Sequence, residues 1–115
     1  MTINEYQKLA MRTNDGMCDA RLHEKTNIGE LINGALGLTG EAGEVADIIK
    51  KHVFHGHDLD KDEIIKELGD VCWYVALLSY AINVPLEDIL QKNVDKLKRR
   101  YPEGFSESNS INRVE

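Results

Sequence analysis

Two pairs of carboxylates carry most of the chemical interest of this 115-residue sequence. Glu41 and Glu44 occur in GEAGEVAD, and Glu67 and Asp70 occur in KELGD. Residues three apart lie about 60° apart around an α-helix, so each pair shares one helix face. Glu63 lies four residues before Glu67 and joins the second face. If the two helices pack antiparallel, these acidic faces meet.

Converging carboxylates indicate a metal ion. Without basic partners they would repel one another and raise each other's pKa values, and a divalent cation removes that cost. An all-oxygen ligand set favours Mg²⁺, with Mn²⁺ as the substitute. Either pair alone is more often a solvated helix face. Here neither pair has a lysine four residues on, and glycines lie beside both (Gly43, Gly69), which favours a metal site.

A series of glycines runs through the segment that carries the first pair. Gly34, Gly37, Gly40 and Gly43 recur at every third position. An interior glycine costs a helix about 1 kcal/mol relative to alanine. Close packing of a second helix accounts for some of these glycines, and a cleft for a bulky ligand would account for the others.

Helices must position these residues, because strand signals are weak and the pattern predicts an all-α chain of about four helices. A capping box of Thr2 and Glu5 starts a first short helix. Residues 14–26 are predicted to be a loop with irregular or short helical structure. An apolar stripe of helical spacing then predicts a long helix over about 27–54.

A third helix is predicted from Asp60, with Glu63 completing a second capping box, to about residue 83. Its second half is apolar nearly all round and must be covered, so we expect a second subunit to complete the bundle. Pro85 fits the first turn of a fourth helix, which Pro102 and Gly104 end. We expect one domain over 1–102 and a polar C-terminal tail over 103–115, ordered only if it docks on a neighbour.

Composition excludes several classes of partner. The net charge of −6 argues against binding a nucleic acid polymer. The longest apolar run, VCWYVALLSYAI, is far shorter than the about 20 residues that span a membrane. The N-terminus has no apolar secretory segment, and Cys18 and Cys72 are typical of reduced thiols. We therefore expect a cytoplasmic protein.

Other residues near the carboxylates allow two interpretations. Trp73 and Tyr74 follow Asp70 by three and four positions. Both are candidates to stack on a base, although core packing is the more usual role of such residues. Lys96 and Arg100 lie on one face of the fourth helix, where they either bind phosphate or complement the helix dipole.

The sequence resembles the MazG-type nucleotide pyrophosphohydrolases of the all-α NTP pyrophosphatase superfamily, in their short single-domain form. The likeness covers about residues 3–105 and is carried by ALGLTGEAGEVADIIKK, IIKELGDVCWYVALL, NVDKLKRRYPEGF and the N-terminal NEYQKLAMRT. An ExxE and an ExxD embedded in GEAGE and KELGD form a specific combination. The chain departs from the fuller EExxE pattern, because Gly40 occupies the first acidic position, which bears on metal number or affinity.

The resemblance implies a MazG-like helical bundle that forms a homodimer or homotetramer. It implies Mg²⁺-dependent hydrolysis of (d)NTPs to (d)NMPs and pyrophosphate, which would clear non-standard nucleotides. The implied metal ligands are Glu41, Glu44, Glu67 and Asp70. The implied phosphate contacts are Asn93, Lys96 and Arg100. A carboxylate not fully used as a ligand, Glu41 or Glu44, would orient the attacking water or take its proton.

Several alternatives remain at this stage. Within the superfamily, dimeric dUTPases and phosphoribosyl-ATP pyrophosphohydrolases differ in base preference. A non-catalytic module that binds magnesium–nucleotide, or one that only oligomerises, would share the same carboxylates without turnover. A di-iron carboxylate bundle needs Glu-x-x-His motifs, which GEAGE and KELGD lack.

Overall fold

A computed structural model describes residues 1–18 and 27–114, and in these ranges the chain is all-helical. The helices are α1 (Ile3–Met11), α2 (Ile28–Phe54), α3 (Lys61–Ala81), α4 (Leu86–Arg100) and α5 (Glu107–Ile111). The prediction of an all-α fold is confirmed. The loop expected at 14–26 falls partly outside the described residues, and 14–17 are irregular.

The helix starts follow the capping signals. The Thr2 hydroxyl accepts from the Glu5 amide at 3.1 Å, and the Glu5 carboxylate accepts from the Thr2 amide at 2.6 Å, so the first capping box is formed. The Asp60 carboxylate accepts from the amides of Asp62 and Glu63 at 3.0 and 3.2 Å. Pro85 lies one position earlier than expected, as the residue that precedes α4.

Helix α3 ends two residues before the predicted boundary. Asn83 adopts a left-handed conformation, with φ of 56°, and this conformation ends the helix. The Ser79 hydroxyl then donates to the Val84 carbonyl, and the Val84 amide donates to the Ser79 carbonyl at 3.1 Å. These bonds fix the short connection that turns the chain into α4.

Helices α2 and α3 form an antiparallel hairpin, which is the condition under which the two acidic faces meet. The Asn27 side chain at the start of α2 donates to the Ala81 carbonyl at the end of α3. About two and three turns further along α2, Gly34 faces Leu78 and Gly37 faces Tyr74. The hairpin therefore packs the first half of α2 against the second half of α3.

Helix α1 packs across α3 and the start of α4. Its Gln7 side chain donates to the Ala76 carbonyl and accepts from the Leu86 amide, both at 3.1 Å. Ala10 of α1 packs with Ala76 and Leu86 in a small buried core. One glutamine thus links three helices, and α1 is fixed beside the part of α3 that carries Asp70.

The C-terminal tail contains a short helix and contacts the end of α4. The Ser106 hydroxyl accepts from the Asn109 amide at 3.0 Å and starts the short helix α5. The Arg100 Nε then donates to the Val114 carbonyl at 3.1 Å, which ties the tail to the end of α4.

Candidate metal centre

Three carboxylates converge where α2 crosses α3. Glu41, Glu67 and Asp70 each place one oxygen so that all three oxygens lie within 4.8 Å of one another. All three residues are half-buried. This is the only such group of three or more metal-ligating side chains within residues 1–18 and 27–114. The hairpin therefore brings together one member of the first predicted pair and both members of the second.

The electrostatics of the cluster favour a cation. The pKa of Glu41 is raised above its ordinary value of 4.5, first because its carboxyl shares a hydrogen bond with Glu67. Desolvation and the negative charges of Asp70, Glu67 and Glu44 raise it further. The charges that act on Glu41 are those of other carboxylates. A divalent cation with oxygen preference fits this donor set, since it would neutralise that negative charge.

Glu44, the fourth predicted ligand, lies outside the group of three. It is exposed, and it acts on the others through its charge. One turn further along α2 than Glu44, Asp47 forms ion pairs with Lys50 at 3.4 Å and with Lys51 at 2.8 Å. The pKa of Lys51 is raised, chiefly by its hydrogen bond to Asp47 and to a smaller extent by the charges of Glu44 and Glu63. Lys51 thus marks the end of the acidic face of α2 that begins at Glu41.

A cleft opens directly beside the carboxylates. Its volume is about 350 Å³, and it is lined by Thr13, Glu41, Asp70, Trp73 and Tyr74. The rings of Trp73 and Tyr74 meet edge to face, with centroids 5.0 Å apart and an interplanar angle of 81°. Trp73 also packs against the core, so its ring is partly packed and partly borders the cleft, and its stacking on a base stays a prediction.

The glycines of α2 have two different surroundings. A Cβ on Gly34 would lie 2.7 Å from Leu78 Cδ2, and a Cβ on Gly37 would overlap the Tyr74 ring. These two glycines allow α3 to approach. A Cβ on Gly40 or Gly43 would meet no atom within 4 Å, so helix packing within the chain requires neither.

The predicted phosphate ligands on α4 lie apart from the cleft in the single chain. Asn93, Lys96 and Arg100 are not among the residues that line it. Helix α4 packs on α1 and α3, and its C-terminal end holds the tail through Arg100.

A larger hollow, of about 650 Å³, lies between α1 and the end of α3. The described residues that line it include no carboxylate, histidine or cysteine. The 350 Å³ cleft, which Glu41 lines from α2 and Asp70 lines from α3, is therefore the candidate site.

Sequence reasoning missed Thr13. Its hydroxyl lies in the wall of the cleft, where it contacts Trp73, a residue 60 positions away in the sequence. Thr13 lies beyond the last turn of α1, outside any helical pattern, so no local signal could have identified it.

Comparisons with known proteins agree with the family suggested by the sequence. The family model described as MazG nucleotide pyrophosphohydrolase domain matches residues 32–105. The chain is 38% identical over 82 residues to Gene 37 protein of Mycobacterium phage L5, covering 68% of this chain and 72% of that protein. It is 32% identical over 74 residues to Uncharacterized protein YvdC of Bacillus subtilis (strain 168), covering 56% of this chain and 69% of that protein. No solved structure matches the chain.

Proposed function

The chain belongs to the MazG nucleotide pyrophosphohydrolase family, and from that premise we propose that it hydrolyses (d)NTPs to (d)NMPs and pyrophosphate with Mg²⁺. The observation that carries this proposal is the convergence of three carboxylate oxygens, from Glu41, Glu67 and Asp70, within 4.8 Å. Family membership and the cluster support the same activity independently, because one rests on sequence likeness and the other on the packing of two helices.

The cluster would hold the metal ion. The family is metal-dependent in general, and hard oxygen ligands favour Mg²⁺, with Mn²⁺ as a substitute. When bound, the ion would neutralise phosphate charge and lower the pKa of a coordinated water molecule. Glu41, Glu67 and Asp70 would supply its protein ligands, and Glu44 would add a fourth from the adjacent turn of α2.

The chain's own residues would direct an attack at the α-phosphorus. A water oxygen bonds to that phosphorus, the bond to the bridging oxygen of the β-phosphate breaks, and pyrophosphate leaves with the electron pair. Glu44 is exposed and outside the group of three, so as a fourth ligand it would be the one least fully used, and its carboxylate would accept the proton of the water. Glu41 belongs to the group of three that would hold the metal ion, so its carboxylate is less available for that task.

Other contacts would fix the two ends of the substrate. Trp73 and Tyr74 border the cleft beside Asp70, and a base can stack on an aromatic ring there. Lys96, Arg100 and Asn93 on α4 are the proposed phosphate contacts, by their likeness to the family's C-terminal helix. All of these contacts would be made to the ring face of the base or to phosphate, which every nucleotide has. They therefore suit a broad set of nucleotides and a house-cleaning role in the cytoplasm.

Exposed apolar side chains support self-association. On α2, Leu36 is 71% exposed and Ile32 45%, and on α3 Ile65 is 65% exposed. Large apolar side chains left exposed on both helices of one hairpin are typical of a subunit interface. We propose that two α2–α3 hairpins pack together as a four-helix bundle, in a dimer or a dimer of dimers. None of the described helices has the length and apolar character needed to cross a membrane.

The self-association proposal is tested by light scattering after gel filtration. The wild-type chain is expected to elute as a dimer or tetramer, and Ile32→Glu as a smaller species. Ile111→Glu, on the exposed tail helix α5, is the matched control and is expected to elute like the wild type. A monomeric wild type would overturn the proposal.

The enzyme proposal is tested with a panel of ribo- and deoxynucleoside triphosphates in Mg²⁺. Chromatography should identify the monophosphate and pyrophosphate in equal amounts. Hydrolysis in ¹⁸O-labelled water should place the label in the monophosphate, because attack is at the α-phosphorus. Release of inorganic phosphate with the diphosphate would contradict this reaction. Binding of magnesium–nucleotide without any turnover would instead indicate a non-catalytic module.

A further inference from the structure

The chain's single tryptophan is held by α1 through its ring nitrogen. Trp73 Nε1 donates to the Thr13 hydroxyl at 2.8 Å and to the Ala10 carbonyl at 3.0 Å. The only donor on the indole ring is therefore satisfied by two acceptors, one in the last turn of α1 and one just beyond it. These bonds set the orientation of the ring, which packing alone leaves free to tilt.

Thr13 is itself fixed. Its hydroxyl donates its only proton to the Ala10 carbonyl at 3.0 Å, so the oxygen turns a lone pair toward the indole. The following residue, Asn14, donates from its side chain to the Glu30 carboxylate on α2 at 3.2 Å. The segment that carries Thr13 is thus tied to α2 on one side and to α3, through Trp73, on the other.

The consequence concerns the cleft. Thr13 and Trp73 line it together with Glu41 and Asp70. Trp73 follows Asp70 by one helical turn, so one helix positions both the ring and a carboxylate. Any rotation of the indole would change the width of the cleft beside the carboxylates, and it would also disturb the edge-to-face contact with Tyr74.

We propose that Thr13 is a positioning residue, which locks the Trp73 ring as the wall against which the planar base of the nucleotide packs. This inference rests on the proposed function for the identity of the ligand, whereas the lock itself does not depend on it. Thr13 acts through Trp73, so its loss should weaken substrate binding more than it slows the chemical step.

The first test uses the intrinsic fluorescence of Trp73 without any nucleotide. Thr13→Val removes the hydroxyl with little change of shape, and Thr13→Ser keeps the hydroxyl. In Thr13→Val we expect a shifted emission maximum and stronger quenching by acrylamide, because the ring has lost one of its two acceptors. Thr13→Ser should behave as the wild type does. Identical emission and quenching in all three proteins would overturn the lock, whether or not the protein is an enzyme.

The second test uses magnesium with a deoxynucleoside triphosphate, and an α,β-imido analogue for binding alone. If the nucleotide must re-orient a freed ring, the free energy of the lost internal hydrogen bond is taken from binding, which corresponds to a rise in KM of up to about tenfold. We expect that rise in Thr13→Val with kcat nearly unchanged, and recovery in Thr13→Ser. A lower kcat and a lower melting temperature with unaltered fluorescence would show a merely structural role and overturn the proposal.

A double-mutant cycle isolates the contact. Trp73→Phe keeps an aromatic ring but has no N–H to donate. If Thr13 acts through that N–H, the double variant should raise KM no more than the larger of the two single changes. Additive changes in log KM would contradict the proposal. If the wild type has no turnover, the proposed function fails, and binding of the imido analogue replaces KM in the same cycle.

Discussion

Replacing Gly37 with alanine tests the approach of α2 to α3 that builds the cleft. A Cβ at this position would overlap the Tyr74 ring, and Tyr74 cannot turn away freely because Trp73 packs edge-on against it. The matched control is Gly40→Ala, one turn further along the same helix, where a Cβ would meet no atom within 4 Å.

The magnitude follows from two opposing terms. Alanine gains about 1 kcal/mol over glycine in a helix interior, and this gain is common to both positions. At Gly37 it is opposed by overpacking, which typically costs about 1–3 kcal/mol. Gly37→Ala should therefore be less stable than Gly40→Ala by about 1–3 kcal/mol. For a chain of this size that is a difference of about 4–12 °C in melting temperature.

The assay is thermal unfolding followed by circular dichroism, at one protein concentration, since self-association makes the midpoint depend on concentration. Gly40→Ala should unfold above the wild type. Gly37→Ala should unfold below Gly40→Ala and should also bind magnesium–nucleotide more weakly, because Tyr74 is displaced into the cleft. Equal melting temperatures for the two variants would refute the close approach of the helices at Gly37.

Three further predictions concern other parts of the chain. In chelator, Glu41 binds more protons in the folded than in the unfolded chain because its pKa is raised, so its contribution to stability should be lost as pH rises from 4.5 through that raised pKa. Glu41→Gln should flatten this fall in a pH series of melting temperatures, and an unchanged slope would contradict the assignment. Thr2→Ala should cost about 1 kcal/mol in urea unfolding, because it removes the cap of α1. Lys96→Ala should raise the KM for nucleotide about ten- to hundredfold if Lys96 binds phosphate, whereas Lys98→Ala, on the same helix, should leave KM unchanged.

Local signals predicted much of the fold. Capping residues and apolar periodicity predicted the helix starts at Thr2 and Asp60, and the structure supplies the antiparallel packing that the meeting of the two acidic faces required. The docking of α1 could not be predicted, because it depends on the polar side chains of Gln7 and Thr13. Each of them forms hydrogen bonds to residues about 60 or more positions away, and no local sequence pattern indicates these bonds.

Helical spacing predicted which residues of α2 are near the candidate site, but it did not predict which of them face α3. A step of three residues falls about 60° short of a full turn. The glycine series therefore winds away from α3, so that Gly34 and Gly37 face it while Gly40 and Gly43 do not. The same rotation separates exposed Glu44 from half-buried Glu41. Which member of each series faces the partner helix is decided by the register of the hairpin, and the sequence pattern does not specify that register.

The most direct test of the central claim is pyrophosphate release from a (d)NTP with Mg²⁺ by the wild type, Asp70→Asn and Asp58→Asn. Asp70 belongs to the group of three carboxylates, whereas Asp58 is exposed in the connection between α2 and α3. Asp70→Asn is expected to abolish release while the helical circular dichroism spectrum is retained, and Asp58→Asn is expected to match the wild type. Full activity in Asp70→Asn, or equal losses in both variants, would contradict a metal-dependent reaction at this cluster.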